Sequence, residues 1–303
     1  MVLISLELTV WIINMLFPFN FLQTNTTTPL LLDLYPNSTA AYSLRKLTNA
    51  YGGSAIRVRR SSDNAELDIG FVANVLDTAS LLSFCSATDG FVVKWYSQVG
   101  GSTYDVLQNT ALKQPKIVTS GVLNVLNLLA SVSFVSGSFT GLCTSAGVTV
   151  QNGQFLACAV ALVNTTAPSN CSIVDQDDLG LTNGRVAQYI YRSATVVRNL
   201  FFNTAGSFTT VNTPTITTNR QYLFKTSKVG TQLRAGLNSG ANNTATYTGT
   251  PRTTLVKLGL GSITNNTAEF LDGQIQEVIM FSGDNSSNEA NIVSNITTYY
   301  GIV

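Results

Sequence analysis

The clearest periodicity in the chain stands at its start. Ile4, Leu6, Leu8 and Val10 alternate with Ser5, Glu7 and Thr9, and Ile12 keeps the apolar parity. This period of two is that of a half-buried β-strand. Trp11 interrupts the polar face, so the alternation is clean only to Val10. Two other readings of residues 1–22 remain open. The stretch is long enough to cross a bilayer, but Glu7 would lie inside the span. It is apolar like a secretory leader, but no Lys or Arg opens it and no small-residue cleavage motif closes it. A membrane helix has no reason to alternate, so the pattern favours the strand. It predicts that Leu6, Leu8, Val10 and Ile12 form an assembly surface against another subunit or a partner chain.

Residues 24–29 are a polar linker. Asn37, Ser38 and Thr39 then form a cluster of helix-capping residues, which predicts a short helix over 40–49 with Ala41, Leu44 and Leu47 on one face. Residues 55–59 alternate as a strand and turn at 61–64. Asp77 opens a second short helix through Phe84, and residues 91–96 read as an aromatic-containing strand. Beyond residue 115, short apolar runs at 155–163, 188–191, 221–226 and 274–281 are separated by Gly, Asn, Ser and Thr. Such punctuation predicts a sandwich or barrel, and without a fixed-period repeat it excludes a propeller or solenoid.

Composition sharpens this picture. Of 303 residues, 45% are hydrophobic and only 11% charged, so the chain packs a core and is not disordered. A net charge of +1 excludes a nucleic-acid partner held by a basic surface. The one basic cluster, Arg57, Arg59 and Arg60, lies beside Asp63, Glu66 and Asp68 and reads as ion pairs on a sheet face. The chain has no histidine, which excludes serine–histidine and cysteine–histidine nucleophiles and histidine-held zinc. Its four cysteines, Cys85, Cys143, Cys158 and Cys171, show no C-x-x-C spacing. Cys158 with Cys171 is the favoured disulfide, although spacing alone does not assign it. No cofactor and no metal site is predicted.

Two stretches carry a family likeness. The first is A-Y-S-L-R-K-L (41–47), A-I-R-V-R-R-S-S-D-N (55–64), D-I-G-F (68–71), L-D-T-A-S-L-L-S-F-C (76–85) and G-F-V-V-K-W-Y-S-Q-V-G (90–100). In this order the motifs resemble the start of the catalytic sandwich of fungal α-L-arabinofuranosidase B, and also modules of bacteriophage structural proteins. The second is F-L-D-G-Q-I-Q-E-V-I-M-F (270–281) with I-T-T-Y-Y-G-I-V (296–303). It looks like the last strand and closing helix of LamG-like sandwiches. Together they imply an all-β, concanavalin A-like jelly roll over 33–303, preceded by an arm and linker at 1–32. The chain departs from the family at residues 95–102, where W-Y-S-Q-V-G-G-S lacks the usual Asp and Asn. It also lacks a second cysteine soon after Cys85, so the local disulfide of the enzymes is not expected.

Chemistry is harder to find. A glycosidase needs two carboxylates, about 5–5.5 Å apart if retaining and roughly 6.5–9.5 Å if inverting. Candidates are Asp175, Asp177, Asp178, Asp272 and Glu277, but the E-x-D-x-x-E motif of sandwich glucanases is absent. Residues 174–180 form an acidic turn that reads as solvated rather than as a calcium loop. Trp95, Tyr104, Tyr189, Tyr191 and Tyr247 are candidate sugar platforms, each more ordinarily a core residue. These observations lead to an expectation of a virion structural protein: a fibre, spike or decoration subunit located in the particle. Its partners would be other virion proteins or copies of itself, with surface glycans as a further ligand. The alternatives are a secreted glycoside hydrolase or carbohydrate-binding module of arabinofuranosidase type, and a membrane-anchored adhesin.

Overall fold

A computed structural model of the chain describes residues 27–148, 153–167, 170–177, 187–192, 195–251, 256–263 and 268–303, with backbone alone at 177 and 187–192. The arm residues Leu6, Leu8, Val10 and Ile12 lie outside the described residues.

Three α-helices are described: α1 (Leu31–Leu34), α2 (Thr78–Cys85) and α3 (Glu289–Tyr300). The strands begin with β1 (Ser38–Ser43), β2 (Ile56–Arg60), β3 (Glu66–Ile69), β4 (Phe71–Val72), β5 (Val75–Leu76), β6 (Gly90–Trp95), β7 (Val106–Leu107) and β8 (Lys116–Thr119). There follow β9 (Val122–Leu123), β10 (Val125–Leu126), β11 (Leu129–Ala130), β12 (Val132–Phe134), β13 (Leu142–Thr144), β14 (Phe155–Val163), β15 (Asn170–Asp177) and β16 (Ala187–Arg192). The last are β17 (Val196–Phe202), β18 (Phe208–Asn212), β19 (Gln221–Val229), β20 (Gln232–Leu237), β21 (Asn243–Thr246), β22 (Lys257–Leu260) and β23 (Gly273–Ser282). The expectation of an all-β sandwich with a few short helices holds.

Two antiparallel limbs make the sandwich. The first runs β21–β20–β19–β14–β23, and β1 and β12 share the outer edge of β23. The second runs β3–β2–β6–β7–β13–β22–β15–β16–β17–β18. β12 and β8 link the limbs by pairing β23 to β6.

β14 shows why the sequence builds layers. All nine of its residues, F-L-A-C-A-V-A-L-V, are buried. Such an unbroken apolar run belongs to a strand covered on both faces. Phe155, Ala157, Ala159 and Ala161 face the space between the limbs, with Phe224, Val278 and Met280 beside them and Ile173, Val197, Leu258 and Trp95 opposite. Leu156, Cys158 and Val160 face the other way, into a layer closed by Leu31, Leu47, Ile292, Val293, Ile296 and Tyr300. Burying Ile292 and Ile296 completely contributes about 1.5–3 kcal/mol each. Gly301, at φ +61, ends α3 in the left-handed conformation, and Ile302 N–H returns to Thr297 O at 2.9 Å.

No helix forms over 40–49: residues 40–43 belong to strand β1 and the rest are irregular. Capping residues and good helix formers are overridden by long-range pairing. One edge of β1 pairs with Glu277–Phe281 of β23. On its other side, Ala41 N–H donates to Ser97 Oγ at 3.1 Å. Gln98 then holds the chain beyond β1, taking a hydrogen bond from Leu47 N–H at 2.7 Å and donating one to Arg45 O at 2.7 Å. Ala40 and Tyr42 fill the sandwich interior while Ala41 fills the helix-side layer, which an isolated helix face would not achieve. Residues 97–98 lie in the stretch that departs from the family pattern, and here they brace the strand.

The helix expected from Asp77 is present as α2, with the Asp77 carboxylate accepting from Ser80 N–H at 3.0 Å. The hairpin at 61–64 joins β2 to β3 as expected. The favoured Cys158–Cys171 disulfide is not formed. Cys158 is a free, buried thiol facing the helix-side layer, whereas Cys171 faces the interior between the limbs. Cys85 is also a buried thiol without a local disulfide. No helix among the described residues is long and apolar enough to cross a membrane.

Candidate functional site

Residues paired across a ladder lie side by side on the same sheet face. Starting from Arg57, one such row crosses the second limb. Arg57 pairs with Asp68 and with Lys94, Lys94 with Leu107, and Leu107 with Cys143. Cys143 pairs with Gly259, Gly259 with Asp175, and Asp175 with Gln188. The neighbouring positions Ile56, Trp95, Val106, Thr144 and Leu258 are buried toward the interior, so this row faces outward. Gly259, itself buried, puts no side chain between half-buried Cys143 and fully buried Asp175.

One end of the row is charged and closely paired. Arg57 donates from Nε and Nη2 to the two carboxylate oxygens of Asp68 at 2.8 and 2.7 Å. Tyr96 Oη donates to Asp68 at 2.7 Å. The Arg57 hydrogen bonds, helped by Tyr96, hold the Asp68 carboxyl below its ordinary range against partial burial. Lys94 Nζ lies 5.1 Å from the Tyr96 ring centre and 3.6 Å from Asp105. Burial pushes the Asp105 carboxyl above its ordinary value, although Ser97 N–H and Lys94 oppose the shift. Arg59 and Lys116 both lie over the Phe91 ring, and Lys116 pairs with Asp89 at 2.7 Å. The expected ion pairs are therefore present, at Arg57–Asp68 and Arg60–Asp63.

The five sequence candidates scatter. The acidic turn is not a turn through 177: residues 170–177 are strand β15, and Asp175 is fully buried on the outward row. The backbone of Asp177 pairs with Lys257, and Asp178 lies outside the described residues. Asp272 is tied to Asn164 Nδ2 at 2.9 Å and to Thr166 Oγ1 at 2.7 Å at the start of β23. Glu277 is buried beneath Arg45. No group of metal-ligating side chains occurs among the described residues.

Of the aromatic candidates, Trp95 and Tyr247 are core, and the Tyr104 carbonyl accepts from Tyr42 Oη. Tyr189 and Tyr191 lie in β16. Sequence reasoning passed over Gly259, although a glycine inside the run K-L-G-L is a recognised sign of close backbone approach. It also passed over Phe139, for which the sequence holds no local signal.

Besides Asp68, Asp105 and Asp175, the outward face carries Glu66, opposite Arg59, and Asp89, paired with Lys116. Asp68 is held by Arg57. Three strand steps separate β7 from β15, about 14 Å at the usual strand spacing. Asp105 and Asp175, both buried, therefore stand outside the glycosidase window, and the face has the chemistry of a polar, aromatic-flanked binding surface.

The comparisons with known proteins bear on that surface. The family model "Alpha-L-arabinofuranosidase B, catalytic" matches residues 33–127. A solved GH54 α-L-arabinofuranosidase soaked with a cyclic sulfate inhibitor superposes with a TM-score of 0.61 at 16% identity, covering 88% of this chain and 64% of that one. An arabinofuranosidase complexed with arabinofuranosyl-α-1,2-xylobiose superposes at 0.56 with 18% identity, covering 88% and 65%. The chain thus spans about two-thirds of the length of these enzymes and shares their fold. No curated protein matches it. These findings overturn the virion reading. The likeness to phage modules is not shown, whereas the arabinofuranosidase likeness is. The expectation had weighed a missing catalytic motif and an apolar arm above the enzyme resemblance.

Proposed function

We propose that the chain is a carbohydrate-active module of the glycoside hydrolase type, directed at arabinofuranosyl groups on polysaccharide. The observation that carries this reading is the family-model match over 33–127, continued by a superposition on arabinofuranosidases over 88% of the chain. Its contact surface is the outward row of the second limb, where half-buried Lys94, Leu107 and Cys143 border the buried Asp175. The missing histidine does not oppose this, because glycoside cleavage runs on carboxylates.

One observation favours a second reading, binding without cleavage: Asp68 is neutralised by Arg57, and Asp105 stands about three strands from Asp175. Both readings are tested together with 4-nitrophenyl α-L-arabinofuranoside and arabinoxylan. Nitrophenol release that Asp175→Asn abolishes supports the hydrolase. Arabinoxylan binding without release supports the binding module. The absence of both release and binding would contradict the proposal.

A further inference from the structure

Phe139 breaks two rules at once. Its backbone is left-handed, at φ +55 and ψ +38, a conformation that costs a bulky residue strain and is ordinarily left to Gly or Asn. Its side chain is 54% exposed. A protein gains nothing in stability from holding a large apolar ring in solvent on a strained backbone.

The surrounding loop nevertheless enforces this. Val135 N–H donates to Thr140 Oγ1 at 2.7 Å, Phe139 N–H to Ser136 O at 3.0 Å, and Gln108 Nε2 to Gly141 O at 3.1 Å. Phe270, which is buried, meets the Phe139 ring edge to face at 5.2 Å and 66°. Glu269, the residue before Phe270, is also left-handed at φ +53. Two strained non-glycine residues thus meet where the β12–β13 loop touches the loop leading into β23. Strain that cross-bracing maintains is commonly a mark of function.

Position and composition indicate what the ring meets. The loop runs from β12 into β13 just ahead of Cys143, and β22 carries Gly259 shortly before the chain reaches Phe270. Phe139 therefore lies in the loop that leads into the Cys143 position of the outward row. The loop, V-S-G-S-F-T-G over 135–141, has no charge and offers two serine hydroxyls beside one flat ring. A charged ligand would find no counter-ion in that segment. A sugar ring has an apolar C–H face that stacks on an aromatic ring and a rim of hydroxyls for serine.

We propose that Phe139 is the stacking platform of a saccharide subsite, holding a sugar of the polysaccharide backbone. This rests on the carbohydrate reading above. The test is the dissociation constant for soluble arabinoxylan, with thermal stability of each variant. Phe139→Ala should weaken binding about tenfold, and Phe139→Trp should keep it. Phe139→Asn, which relaxes the backbone, should weaken binding equally while its melting temperature stays level or rises. Unchanged affinity in Phe139→Ala, with wild type binding, overturns this inference alone. So does a lowered melting temperature in Phe139→Asn with intact binding, which would make the ring a structural prop for Phe270. Wild type that binds no arabinoxylan overturns both this inference and the reading beneath it.

Discussion

Arg45 grips Glu277 with two hydrogen bonds, Nε to Oε2 at 2.8 Å and Nη2 to Oε1 at 3.0 Å. Both side chains are buried. Burial alone would lower the Arg45 pKa, but the charge and hydrogen bonds of Glu277 more than offset it and hold the guanidinium above its ordinary value. Tyr299 stacks on the guanidinium at 4.3 Å, and Nη1 donates to Asn295 Oδ1 at 2.9 Å. Ser43 Oγ and Tyr300 Oη both donate to Glu277 Oε2. One cluster thus ties the chain just after β1 to the last strand and the closing helix. The two family-like stretches, at opposite ends of the sequence, meet at this pair.

Removing one partner of a buried pair leaves an uncompensated charge, which costs about 3–5 kcal/mol. Glu277→Ala and Arg45→Met should each lose about that much stability in urea titration. The double variant Arg45→Met/Glu277→Leu should lose clearly less than the sum. Losses under about 1 kcal/mol in both single variants would show that the pair does not hold the ends together.

Acid should weaken the β2–β3 edge. The Asp68 pKa is lowered in the fold, chiefly by the Arg57 hydrogen bonds. Its contribution is therefore present above the unfolded value of about 3.9 and is lost as pH falls through the lower folded value. The pair is partly exposed, so the effect is small. Melting temperatures from pH 6 to pH 2 should fall less steeply in Asp68→Asn than in wild type, and equal slopes would contradict the assignment.

Ile296 is fully buried between α3 and the outer face of β14. Ile296→Ala should cost about 2–5 kcal/mol by chemical denaturation. A cost under about 1 kcal/mol would mean that the helix-side layer is not closely packed.

Much of the fold was legible because it is local. The all-apolar run of β14, the hairpin after β2 and the Asp77 cap each carry their signal within a few residues. β1 was misread because its strand identity comes from Glu277–Phe281 and from Ser97, far along the chain. The candidate site was less legible. The row from Asp68 to Asp175 gathers residues from seven strands, and no spacing in the sequence encodes that register. Asp175 was singled out as an acidic residue but placed in a solvated turn, because V-D-Q-D-D gives no sign of the strand pairing that buries it. Phe139 looks like any other phenylalanine until its backbone angle is known.

The central claim is that arabinofuranosyl polysaccharide lies along the outward row of the second limb, and Cys143 can report on it. Cys143 is half-buried on that face, while Cys85, Cys158 and Cys171 are buried, and burial pushes the Cys158 thiol well up. Thiol reactivity follows exposure and thiolate character, so Cys143 should be the first cysteine alkylated in the native protein. The decisive measurement is the alkylation rate at Cys143, by peptide mass spectrometry, with and without saturating arabinoxylan. The account predicts that the polysaccharide slows this rate about tenfold or more and leaves the others unchanged. An unchanged Cys143 rate under saturating arabinoxylan would contradict it.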